Sequence, residues 1–559
     1  MEQFQKKKLI AAITIALAAS GFASNSLANN TKLSATKTNV AFADFIPTEY
    51  STQDKPNIIV LTVDDLGYGQ MPFDESSFNP EALKNRPVVD TYKIGIDKAI
   101  EAAKKSTPTL LGLMNDGVRF TNGYVAHGVS GPSRAAIMTA RAPARFGVYN
   151  NSDAQDGIPL TETFMSELFQ NHGYYTAAVG KWHLSKISNV PVPEEKQTRD
   201  YHDNYRTYSA EEWQPQNRGF DYFMGYHSAG VAWYNSPSLF INRQPVEAKG
   251  YISDQLTDEA IGVANRAKML EQPFMLYLAY SAPHLPNDVA APSEYQSKFN
   301  TGSPTADNFY ASVYSVDQGV KRILETLRKN GQLDNTIILF TSDNGAVIDG
   351  PLPLNGNQKG FKGQMTAPGG VHTPMFMWWN GKLKNGKFDK LVSAMDFFPT
   401  ALDAAKISIP STLKLDGHSL LPYVTGKKEG TIHDNLVWLG SYVHWWDEQN
   451  IPFWDNYHKF VRHESDEYPK NPYTEDLSQF SYAVRNNEYA LIYNYEDKQL
   501  GLYALNDLQL KHNLAKDKPE IVKQMQGSMK EFVSNSHPPL NKVNQEKFDN
   551  VTKTLNKTQ

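Results

Sequence analysis

One short run of this chain combines hydroxyl side chains with a binding site for an anion. Residues 129–141 are Val-Ser-Gly-Pro-Ser-Arg-Ala-Ala-Ile-Met-Thr-Ala-Arg, which predicts a polar loop that turns into a buried helix. Pro132 suits the first turn of that helix, because its missing N–H costs nothing there. Ser130 then stands just ahead of a helix N-terminus, where free N–H groups and the dipole favour negative charge. Taken alone, the run fits equally a capped helix start with two interchangeable serines, Ser130 and Ser133.

Four further places carry polar side chains directly after an apolar run. Each of them could by itself be an ordinary turn. The side chains are two adjacent carboxylates, a lysine with a histidine, a second histidine, and a carboxylate beside an amide. They are Asp64 and Asp65, Lys181 and His183, His284, and Asp343 and Asn344. Gathered in one place, these groups would make a hydrolytic metal site.

Buried strands would have to position these side chains. The runs 56–63, 273–280 and 336–341 are continuously apolar or β-branched, which is typical of strands buried on both faces. Strands that alternate with helices, as predicted here over 94–105 and 309–329, indicate an α/β fold with a largely parallel sheet. Ligands bind outside the carboxyl ends of such strands. We therefore expect the four polar strand ends to meet at one edge of the sheet.

The full run 130–141 resembles the active-site signature of the type I sulfatases of the alkaline phosphatase superfamily, [Cys/Ser]-x-Pro-Ser-Arg-x-x-x-x-Thr-Gly-Arg. In that family the first residue is oxidised to Cα-formylglycine, the catalytic aldehyde. Serine at position 130 resembles the serine-type branch, which contains bacterial carbohydrate sulfatases. Ala140 replaces the usual glycine, and it follows Ser130 by about three helical turns. We expect that departure to be tolerated.

The likeness covers nearly all of residues 55–535. The segment 173–183 is similar to the second sulfatase signature, and 281–284 is similar to the family's Pro-His element. The segments 502–505 and 512–515 match its end pattern. The resemblance implies a large, mostly parallel sheet sandwiched by helices, with a smaller α+β domain at the C-terminus.

The resemblance also implies one Ca²⁺ and a set of ligands for it. These are Asp64, Asp65, Asp343 and Asn344, together with the modified residue at Ser130. Three carboxylates and one amide are hard oxygen donors, which suit Ca²⁺ or Mg²⁺ rather than zinc.

In the chemistry that the resemblance implies, a hydroxyl of the hydrated formylglycine attacks sulfur and displaces the alcohol. His284 protonates the leaving oxygen, because a sugar alkoxide leaves poorly. His183 then deprotonates the second hydroxyl on the same carbon, which expels sulfate and restores the aldehyde. An unmodified serine lacks that second hydroxyl and would stay sulfated. Arg134 and Lys181 would stabilise the modified residue.

A loop lysine that clamps the sulfate oxygens is part of the same resemblance. The family pattern is Lys-Gly-x-x-x-Glu-Gly-Gly-x-Arg-x-Pro, and residues 369–374 keep its frame. Pro368 stands in place of the glutamate and His372 in place of the arginine. Lys362, followed by glycine, fits with one extra residue, whereas Lys359 fits with four. We favour Lys362 over Lys359.

The N-terminus predicts export. Lys6–Lys8 precede an apolar run over 9–23, and Ser-Leu-Ala at 26–28 fits a cleavage site, so we predict a signal peptide over 1–28. The chain has no cysteine, which excludes disulfides and a bacterial lipid anchor and means that formylglycine could come only from serine. We predict a periplasmic or secreted protein without a membrane anchor, matured by a formylglycine-generating enzyme before export.

Composition and patterning complete the predicted organisation. A net charge of −5 over 559 residues gives no reason to expect nucleic acid as a partner. We predict a catalytic α/β domain over 55–424 and a smaller α+β domain over 425–559. Two long segments interrupt the catalytic domain, a polar loop with a helix over 71–106 and a polar, irregular insertion over 185–217.

The predicted activity is hydrolysis of sulfate esters on a sulfated oligo- or polysaccharide, for example an algal galactan such as carrageenan. The chain has 29 Tyr and 9 Trp, and aromatic residues cluster over 438–457, where they could stack on sugar rings or fill a core between domains. Three alternatives remain open from the sequence. They are a broad arylsulfatase, a phosphate or phosphonate ester hydrolase of the same superfamily, and a sulfated-glycan-binding protein with unmodified Ser130.

Overall fold

The computed structural model describes residues 55–73, 83, 92, 94–201, 204–247, 249–441, 443, 450–470, 480–494 and 498–557. The predicted signal peptide over 1–28 lies outside these residues, as does most of the polar loop that begins the predicted segment 71–106. Within the described ranges, none of the helices has both the length and the apolarity to span a membrane.

The strands of the described residues are short, and most are buried. They are β1 Asn57–Val63, β2 Val118–Tyr124, β3 Tyr175–Lys181, β4 Ile187–Pro191, β5 Tyr205–Ser209, β6 Tyr222–Tyr226, β7 Leu239–Ile241, β8 Gln244–Val246, β9 Phe274–Ala279, β10 Thr336–Ser342, β11 Met375–Trp379, β12 Gly386–Ser393, β13 Leu436–Ser441, β14 Phe480–Arg485, β15 Tyr489–Asn494 and β16 Gln499–Ala504.

The α-helices of the same ranges are α1 Ile96–Ser106, α2 Pro108–Asp116, α3 Ser130–Thr139, α4 Asn151–Gln155, α5 Met165–Asn171, α6 Ile252–Met269, α7 Ser293–Gln296, α8 Pro304–Asn330, α9 Pro368–Val371, α10 Phe397–Ala404, α11 Leu421–Val424, α12 Ile451–Val461, α13 Pro519–Ser534 and α14 Lys542–Lys557.

Ten strands form one large mixed sheet in the order β12-β2-β11-β10-β1-β9-β3-β6-β7-β8. Its five central strands, from β10 to β6, run parallel, whereas β11, β7 and β8 pair antiparallel with their neighbours. The expected α/β fold with a largely parallel sheet is confirmed. Because Val63 pairs with Ser342, Thr62 with Ala279, and Gly180 with Ala279, the carboxyl ends of β1, β10, β9 and β3 share one edge.

Helices cover both faces of this sheet. Ile58 and Val60 of β1 enter one apolar core together with residues of α3, α5 and α10. Ile59, Leu61 and Val63 enter a second core with residues of α1, α2, α6 and α8. Alternate side chains of one strand therefore bury on opposite faces, which explains why β1 is apolar without interruption.

Helix α3 is buried over all ten of its residues, as the sequence predicted. The helix begins at Ser130 itself, with Val129 at the N-cap, rather than just after Ser130. It ends at Ala140, which has φ +53° and therefore adopts the left-handed conformation that favours glycine.

A smaller antiparallel sheet follows, with the order β13-β14-β15-β16. Its side chains Leu439, Tyr482 and Leu491 belong to the same apolar core as Ile58 of the large sheet. The expected second, smaller α+β region is confirmed as a separate sheet, and the boundary between residues 424 and 425 stays a prediction.

Two expectations about irregular or aromatic segments need correction. The predicted irregular insertion over 185–217 contains an antiparallel hairpin, because β4 pairs with β5 from Ile187–Ser209 to Pro191–Tyr205. In the aromatic cluster, Trp438 and Trp454 are buried, and Trp438 donates from Nε1 to the carbonyl of Val125 at 2.9 Å. These two rings fill cores and have no face for a sugar, whereas 442 and 444–449 lie outside the described residues.

Candidate active site

Two adjacent carboxylates lie at the carboxyl end of β1. Asp64 and Asp65 are buried, and the N–H of Asp64 donates to the carbonyl of Ala282 at 3.2 Å. Asp65 has φ +66°, a left-handed conformation that aspartate tolerates better than most residues. Its N–H donates to Oδ1 of Asp343 at 3.2 Å. That hydrogen bond joins the end of β1 to the end of β10.

The end of β10 supplies a third carboxylate and an amide. The N–H of Asp343 donates to the carbonyl of Val63 at 3.1 Å, which holds the two strand ends together. Nδ2 of Asn344 donates to Oδ1 of Asp65 at 2.7 Å. Oδ1 of Asn344 is left to face Ser130, 3.2 Å from its Oγ.

Helix α3 brings the candidate nucleophile and an arginine to the same cluster, one helical turn apart. Oγ of Ser130 lies 3.2 Å from Oδ1 of Asn344 and 3.4 Å from Oδ1 of Asp64. A hydroxyl has one proton, so it can donate to only one of these oxygens at a time. Arg134 donates from Nε and Nη2 to Oδ2 of Asp343 at 3.0 and 2.8 Å.

The end of β3 contributes a lysine and a histidine. Nζ of Lys181 donates to Oδ2 of Asp64 at 2.7 Å and to Oγ of Ser130 at 3.3 Å. His183 is 2 % exposed, and neither of its ring nitrogens has a hydrogen-bond partner among the described residues. A Cβ placed on Gly131 would lie 3.6 Å from Cε1 of His183, so this ring lies beside the first turn of α3.

The structure separates the two candidate loop lysines. Nζ of Lys362 donates to Oδ2 of Asp65 at 2.8 Å, and the Lys362 side chain is buried. Lys359 is exposed, and its N–H donates to the carbonyl of Leu508 at 2.9 Å. Lys362 therefore lies in the cluster and Lys359 lies outside it, although both belong to the same glycine-rich loop.

His284 follows β9 and faces the same carboxylate as Lys362. Its Nε2 lies 3.7 Å from Oδ2 of Asp65, and its Nδ1 lies 2.9 Å from the carbonyl of Leu285. A carbonyl can only accept, so Nδ1 carries the proton and Nε2 is an acceptor in the neutral ring. The ring of Tyr201, from the segment between β4 and β5, meets His284 edge-on at 5.5 Å.

All ten residues that the sequence singled out thus converge at one edge of the large sheet. Asp64, Asp65 and Asp343 supply the carboxyl groups, and Lys181, Lys362 and Arg134 each pair with one of them. Buried carboxylates this close to one another repel. A hard divalent cation fits this donor set, since oxygens of three carboxylates and of Asn344 lie in one buried cluster with the Ser130 hydroxyl. Asp64, Asp65 and His284 also have one potential ligand atom each within 4.8 Å of one another.

The carboxylates respond unequally to this crowding. Burial raises the pKa of Asp64 to about 7, with a further rise from Asp343 that Lys181 and Arg134 only partly offset. Burial also acts on Asp343, but Arg134, Lys181 and Lys362 outweigh it and hold the pKa of that carboxyl well below its usual range. Asp64 is therefore the carboxylate that gains most from additional positive charge.

Both candidate catalytic histidines are neutral in this environment. Burial lowers the pKa of His284 to about 3, with Asp65 opposing and Lys362 reinforcing the shift. Burial, Lys181 and Arg134 lower the pKa of His183 well below its usual value. Neutral His284 must therefore gain a proton at Nε2 before it can act as an acid, and a bound anion favours that.

Sequence reasoning missed several groups around this cluster. The hydroxyl of Tyr277, in the middle of β9, accepts from Nη1 of Arg134 at 3.3 Å. Oδ1 of Asn151 accepts from the N–H of Gly131 at 3.0 Å, in the first turn of α3. A tyrosine inside a wholly apolar strand was the available signal for Tyr277, whereas nothing local distinguishes Asn151.

Comparisons with protein families agree with this geometry. The sulfatase family matches residues 56–407, and the C-terminal family of N-sulphoglucosamine sulphohydrolase matches residues 360–465. The chain is 74 % identical over 557 residues to an uncharacterized sulfatase, YdeN, of Escherichia coli strain K12, with 99 % of each chain covered. It is 27 % identical over 447 residues to human N-acetylgalactosamine-6-sulfatase, with 73 % of this chain and 74 % of the relative covered.

A solved structure has the same fold. Ps i-CgsB in complex with k-i-k-neocarrahexaose is 26 % identical with a TM-score of 0.67, and the match covers 90 % of this chain and 98 % of that one.

Proposed function

Because the chain belongs to the sulfatase family and is a sulfuric ester hydrolase, we propose that its substrate is a sulfated carbohydrate built on galactose-type sugars. The observation that carries the substrate class is the match to Ps i-CgsB, which was solved with a carrageenan oligosaccharide and whose fold covers 90 % of this chain. The similarity to N-acetylgalactosamine-6-sulfatase supports the same sugar type, since its name also specifies a galactose derivative. A phosphoester hydrolase and a non-enzymatic glycan-binding protein, which the sequence left open, are both less consistent with this family.

We propose formylglycine at position 130. Ser130 is buried in the first turn of α3, and its Oγ lies 3.3 Å from Nζ of Lys181 and 3.2 Å from Oδ1 of Asn344. As a hydrate, an aldehyde at this position supplies a nucleophile and a second hydroxyl on the same carbon, through which sulfate can be released. The chain has no cysteine, so Ser130 is the residue that a maturing enzyme would oxidise.

We propose one Ca²⁺ bound by Asp64, Asp65, Asp343 and Asn344. The support is the donor set, which consists of buried hard oxygens around Ser130 and includes Asp64 with its raised pKa. When bound, the ion would neutralise charge on a sulfate group and favour ionisation of a hydroxyl at residue 130.

The cationic side chains have distinct positions around residue 130. Lys181 stabilises negative charge on an oxygen at residue 130, because its Nζ already contacts both that side chain and Asp64. Arg134 is held by Asp343 and keeps its charge, so it fixes that carboxylate for the cation. Lys362 shares Asp65 with His284, and this shared contact supports our proposal that Lys362 binds a sulfate oxygen.

The two histidines transfer protons on opposite sides of the sulfate group, His284 as the acid and His183 as the base. His284 delivers a proton from Nε2 to the leaving oxygen, after the bound anion has favoured the imidazolium. His183 lies beside the first turn of α3 with both nitrogens free of hydrogen bonds to described residues, so it can accept a proton from a hydroxyl at residue 130.

We further propose that the protein acts outside the cytoplasm. This rests on the basic, apolar and small-residue pattern of residues 1–28. An exported enzyme would meet sulfated polymers or their fragments there.

A substrate panel tests the proposal. Carrageenan, fucoidan, heparin and chondroitin oligosaccharides are incubated beside a chromogenic aryl sulfate and an aryl phosphate, and sulfate release is measured by ion chromatography. We expect release from carrageenan or another galactose-type sugar. Release from the aryl sulfate alone would refute a carbohydrate substrate, and release from heparin alone would refute the galactose-type sugar.

Mass spectrometry of the peptide that carries Ser130 accompanies the panel. Formylglycine is two hydrogens lighter than serine, so the matured fraction can be measured directly. Ser130→Ala should release no sulfate while remaining folded. Ser312→Ala is the matched control, because Ser312 is an equally buried serine whose Oγ donates to Phe309 on α8 at 2.7 Å. Comparable turnover by Ser130→Ala would refute the role of residue 130.

A further inference from the structure

A buried tyrosine beside the catalytic cluster has a hydroxyl without a well-aligned hydrogen bond to any described residue. Tyr226 ends β6 and pairs in register with Lys181, so the two side chains lie on the same face of the sheet. Its hydroxyl is buried and makes no hydrogen bond of acceptable geometry within the described ranges. Ser281, which begins the turn toward His284, has a buried hydroxyl that interacts with the Tyr226 hydroxyl, although the geometry does not give either group a full hydrogen bond.

The surroundings of the Tyr226 hydroxyl are those of the active site. Burial raises its pKa well above the usual value, the carboxylate of Asp64 raises it further, and Arg134 opposes the shift. Tyr201 also raises the pKa of this hydroxyl, whereas the Ser281 hydroxyl lowers it. The hydroxyl therefore keeps its proton at neutral pH and is a neutral donor between the Ser130 side and the His284 side of the site.

An unpaired hydroxyl in this position calls for an explanation. Buried polar groups in proteins are hydrogen-bonded in the great majority of cases. Phenylalanine would fill the same space without the cost of burying an unsatisfied hydroxyl. The expected partner is therefore a group that enters the site during the reaction, and a fixed neutral donor in a buried pocket suits an oxyanion.

We propose that Tyr226 is a sulfate-binding residue, whose hydroxyl donates a hydrogen bond to a non-bridging oxygen of the substrate's sulfate group and of the sulfate product. Lys181, at the end of β3, contacts residue 130, and Tyr226, at the end of the neighbouring strand β6, adds a second donor on the same face of the sheet. The proposal rests on the sulfatase activity and is independent of which sugar carries the sulfate.

The test is Tyr226→Phe in the full chain. A hydrogen bond to a charged group supports an expected fall in kcat/KM of about 10- to 100-fold. The fall should be alike for an aryl sulfate and a sugar sulfate, because both present the same sulfate group. The inhibition constant of inorganic sulfate should rise at least about tenfold, or 1.4 kcal/mol. The free energy of unfolding should stay unchanged or increase, since the variant removes an unsatisfied hydroxyl.

Tyr174→Phe is the matched control. Tyr174 lies just before β3, at the opposite edge of the sheet from Lys181, and its buried hydroxyl donates to the carbonyl of Pro56 at 3.0 Å. This variant loses a real hydrogen bond, so it should lower stability and leave both kcat/KM and the sulfate inhibition constant unchanged. The two tyrosines thus give opposite patterns for the same chemical change.

Several outcomes would overturn the proposal. Wild-type kinetics and wild-type sulfate inhibition in Tyr226→Phe would show that the hydroxyl does not touch sulfate. A loss restricted to sugar sulfates, with unchanged sulfate inhibition, would assign it to the sugar instead. Lower stability or failure to fold would show a structural partner for the hydroxyl. If the parent protein turns over none of the substrates, calorimetry can still compare sulfate binding by the parent and by Tyr226→Phe. This comparison tests the proposal independently of the substrate.

Discussion

Lys362 and His284 both contact the carboxylate of Asp65, next to the position where we propose that the sulfate group binds. Nζ of Lys362 lies 2.8 Å from Oδ2 of Asp65, and Nε2 of His284 lies 3.7 Å from the same oxygen. A bound sulfate monoester could replace Asp65 in part of these contacts. Lys362 would then contact a sulfate oxygen, and His284 would lie next to the leaving oxygen.

The two lysines of the glycine-rich loop give the first prediction. Lys362→Met should lower kcat/KM at least about 100-fold, comparable to the loss of one charge-stabilising donor in other active sites. Lys359→Met should leave activity unchanged, because its side chain is exposed and its backbone hydrogen bond to Leu508 remains. Steady-state kinetics on one sulfate ester compare the pair. Equal losses in the two variants would contradict the assignment.

The second prediction concerns acid catalysis by His284. His284→Ala should lower turnover of sugar sulfates far more than turnover of aryl sulfates, because a phenolate leaves without a proton and a sugar alkoxide does not. The ratio of kcat values for the two substrate classes is the measurement. An equal loss on both classes would show that His284 binds substrate without protonating it.

At the scale of elements, helix α12 joins the loops that follow two of the site's strands. His458 of α12 is buried and bonds Asp288 through Nδ1 and Asp349 through Nε2, the latter at 2.8 Å. Asp288 lies four residues after His284, and Asp349 five after Asn344. Since both partners are carboxylates, both ring nitrogens must donate, and the imidazole is therefore protonated. The contact makes His458 a positioning residue for both loops.

His458 gives the third prediction. Two carboxylate hydrogen bonds outweigh burial and raise its pKa to about 10. A raised pKa stabilises the fold fully below the ordinary value of 6.5, and this contribution is lost as the pH rises from 6.5 toward about 10. His458→Ala should lower the free energy of unfolding by about 3–5 kcal/mol at pH 7, because it leaves the buried carboxylate of Asp349 without the cation that pairs with it, whereas Asp288 keeps Arg462 at 3.0 Å.

Urea unfolding between pH 6 and pH 10 measures the free energy of unfolding of the parent and of the variant. This free energy should fall with rising pH in the parent and change much less in His458→Ala. His512→Ala is the control, because that imidazole is 80 % exposed, and its change should stay within about 0.5 kcal/mol. A kcat/KM unchanged in His458→Ala would contradict its role in positioning His284 and Asn344.

The C-terminal end of α3 shows how an element can constrain a motif. Ala140 has φ +53°, and its carbonyl accepts from the N–H groups of Asp416 and Gly417 at 2.9 and 3.0 Å. The usual glycine of the sulfatase signature suits this left-handed helix end. The position is therefore constrained by backbone conformation, which its distance from Ser130 along the helix did not indicate.

At the scale of the whole molecule, the catalytic cluster buries many ionisable side chains at one edge of the large sheet. Three carboxylates and three cations lie within one cluster, and the cation partners come from α3, from β3 and from the loop that contains Lys362. Burial, reinforced by Asp343, raises the pKa of Asp64 despite the nearby Lys181 and Arg134. The stability of the chain should therefore depend on pH and on the proposed divalent cation.

The fourth prediction follows from that coupling. The folded protein holds a proton on Asp64 between its ordinary pKa of 3.8 and about 7, so without Ca²⁺ its stability falls as the pH rises through this range. Ca²⁺ must displace that proton, so its affinity should rise with pH up to about 7. At 100 times its dissociation constant, Ca²⁺ should add about 2.7 kcal/mol to the free energy of unfolding.

Thermal unfolding with Ca²⁺ or with a chelator, at pH 6 and pH 8, measures both effects. The shift in Tm caused by Ca²⁺ should be larger at pH 8. Asp64→Asn should abolish the shift, whereas Asp507→Asn should retain it, because that half-buried carboxylate lies outside the site and accepts from the N–H groups of Lys511 and His512. The same shift at both pH values, or a comparable shift with Zn²⁺ alone, would contradict a calcium site of this kind.

The sequence alone determined most of the parallel sheet and the membership of the site. The strands predicted over 56–63, 273–280 and 336–341 differ from β1, β9 and β10 by at most one residue at either end. These strands are buried on both faces, so their apolar runs are uninterrupted and easy to detect. The strand β2 and the helix α14 escaped prediction. β2 lies near the edge of the sheet and alternates polar with apolar residues, as in Val118-Arg119-Phe120-Thr121.

Tertiary structure decided everything that depends on residues far apart along the chain. Lys362 and Asp65 are 297 residues apart, and the loop pattern that favoured Lys362 over Lys359 does not indicate that Asp65 is its partner. The unpaired hydroxyl of Tyr226 and the two carboxylates around His458 are likewise visible only once separate strands and helices meet. Spacing along a strand or helix sets which side chains share a face, and the sequence carries that information. Which faces then meet depends on how the whole core packs, and no single segment specifies it.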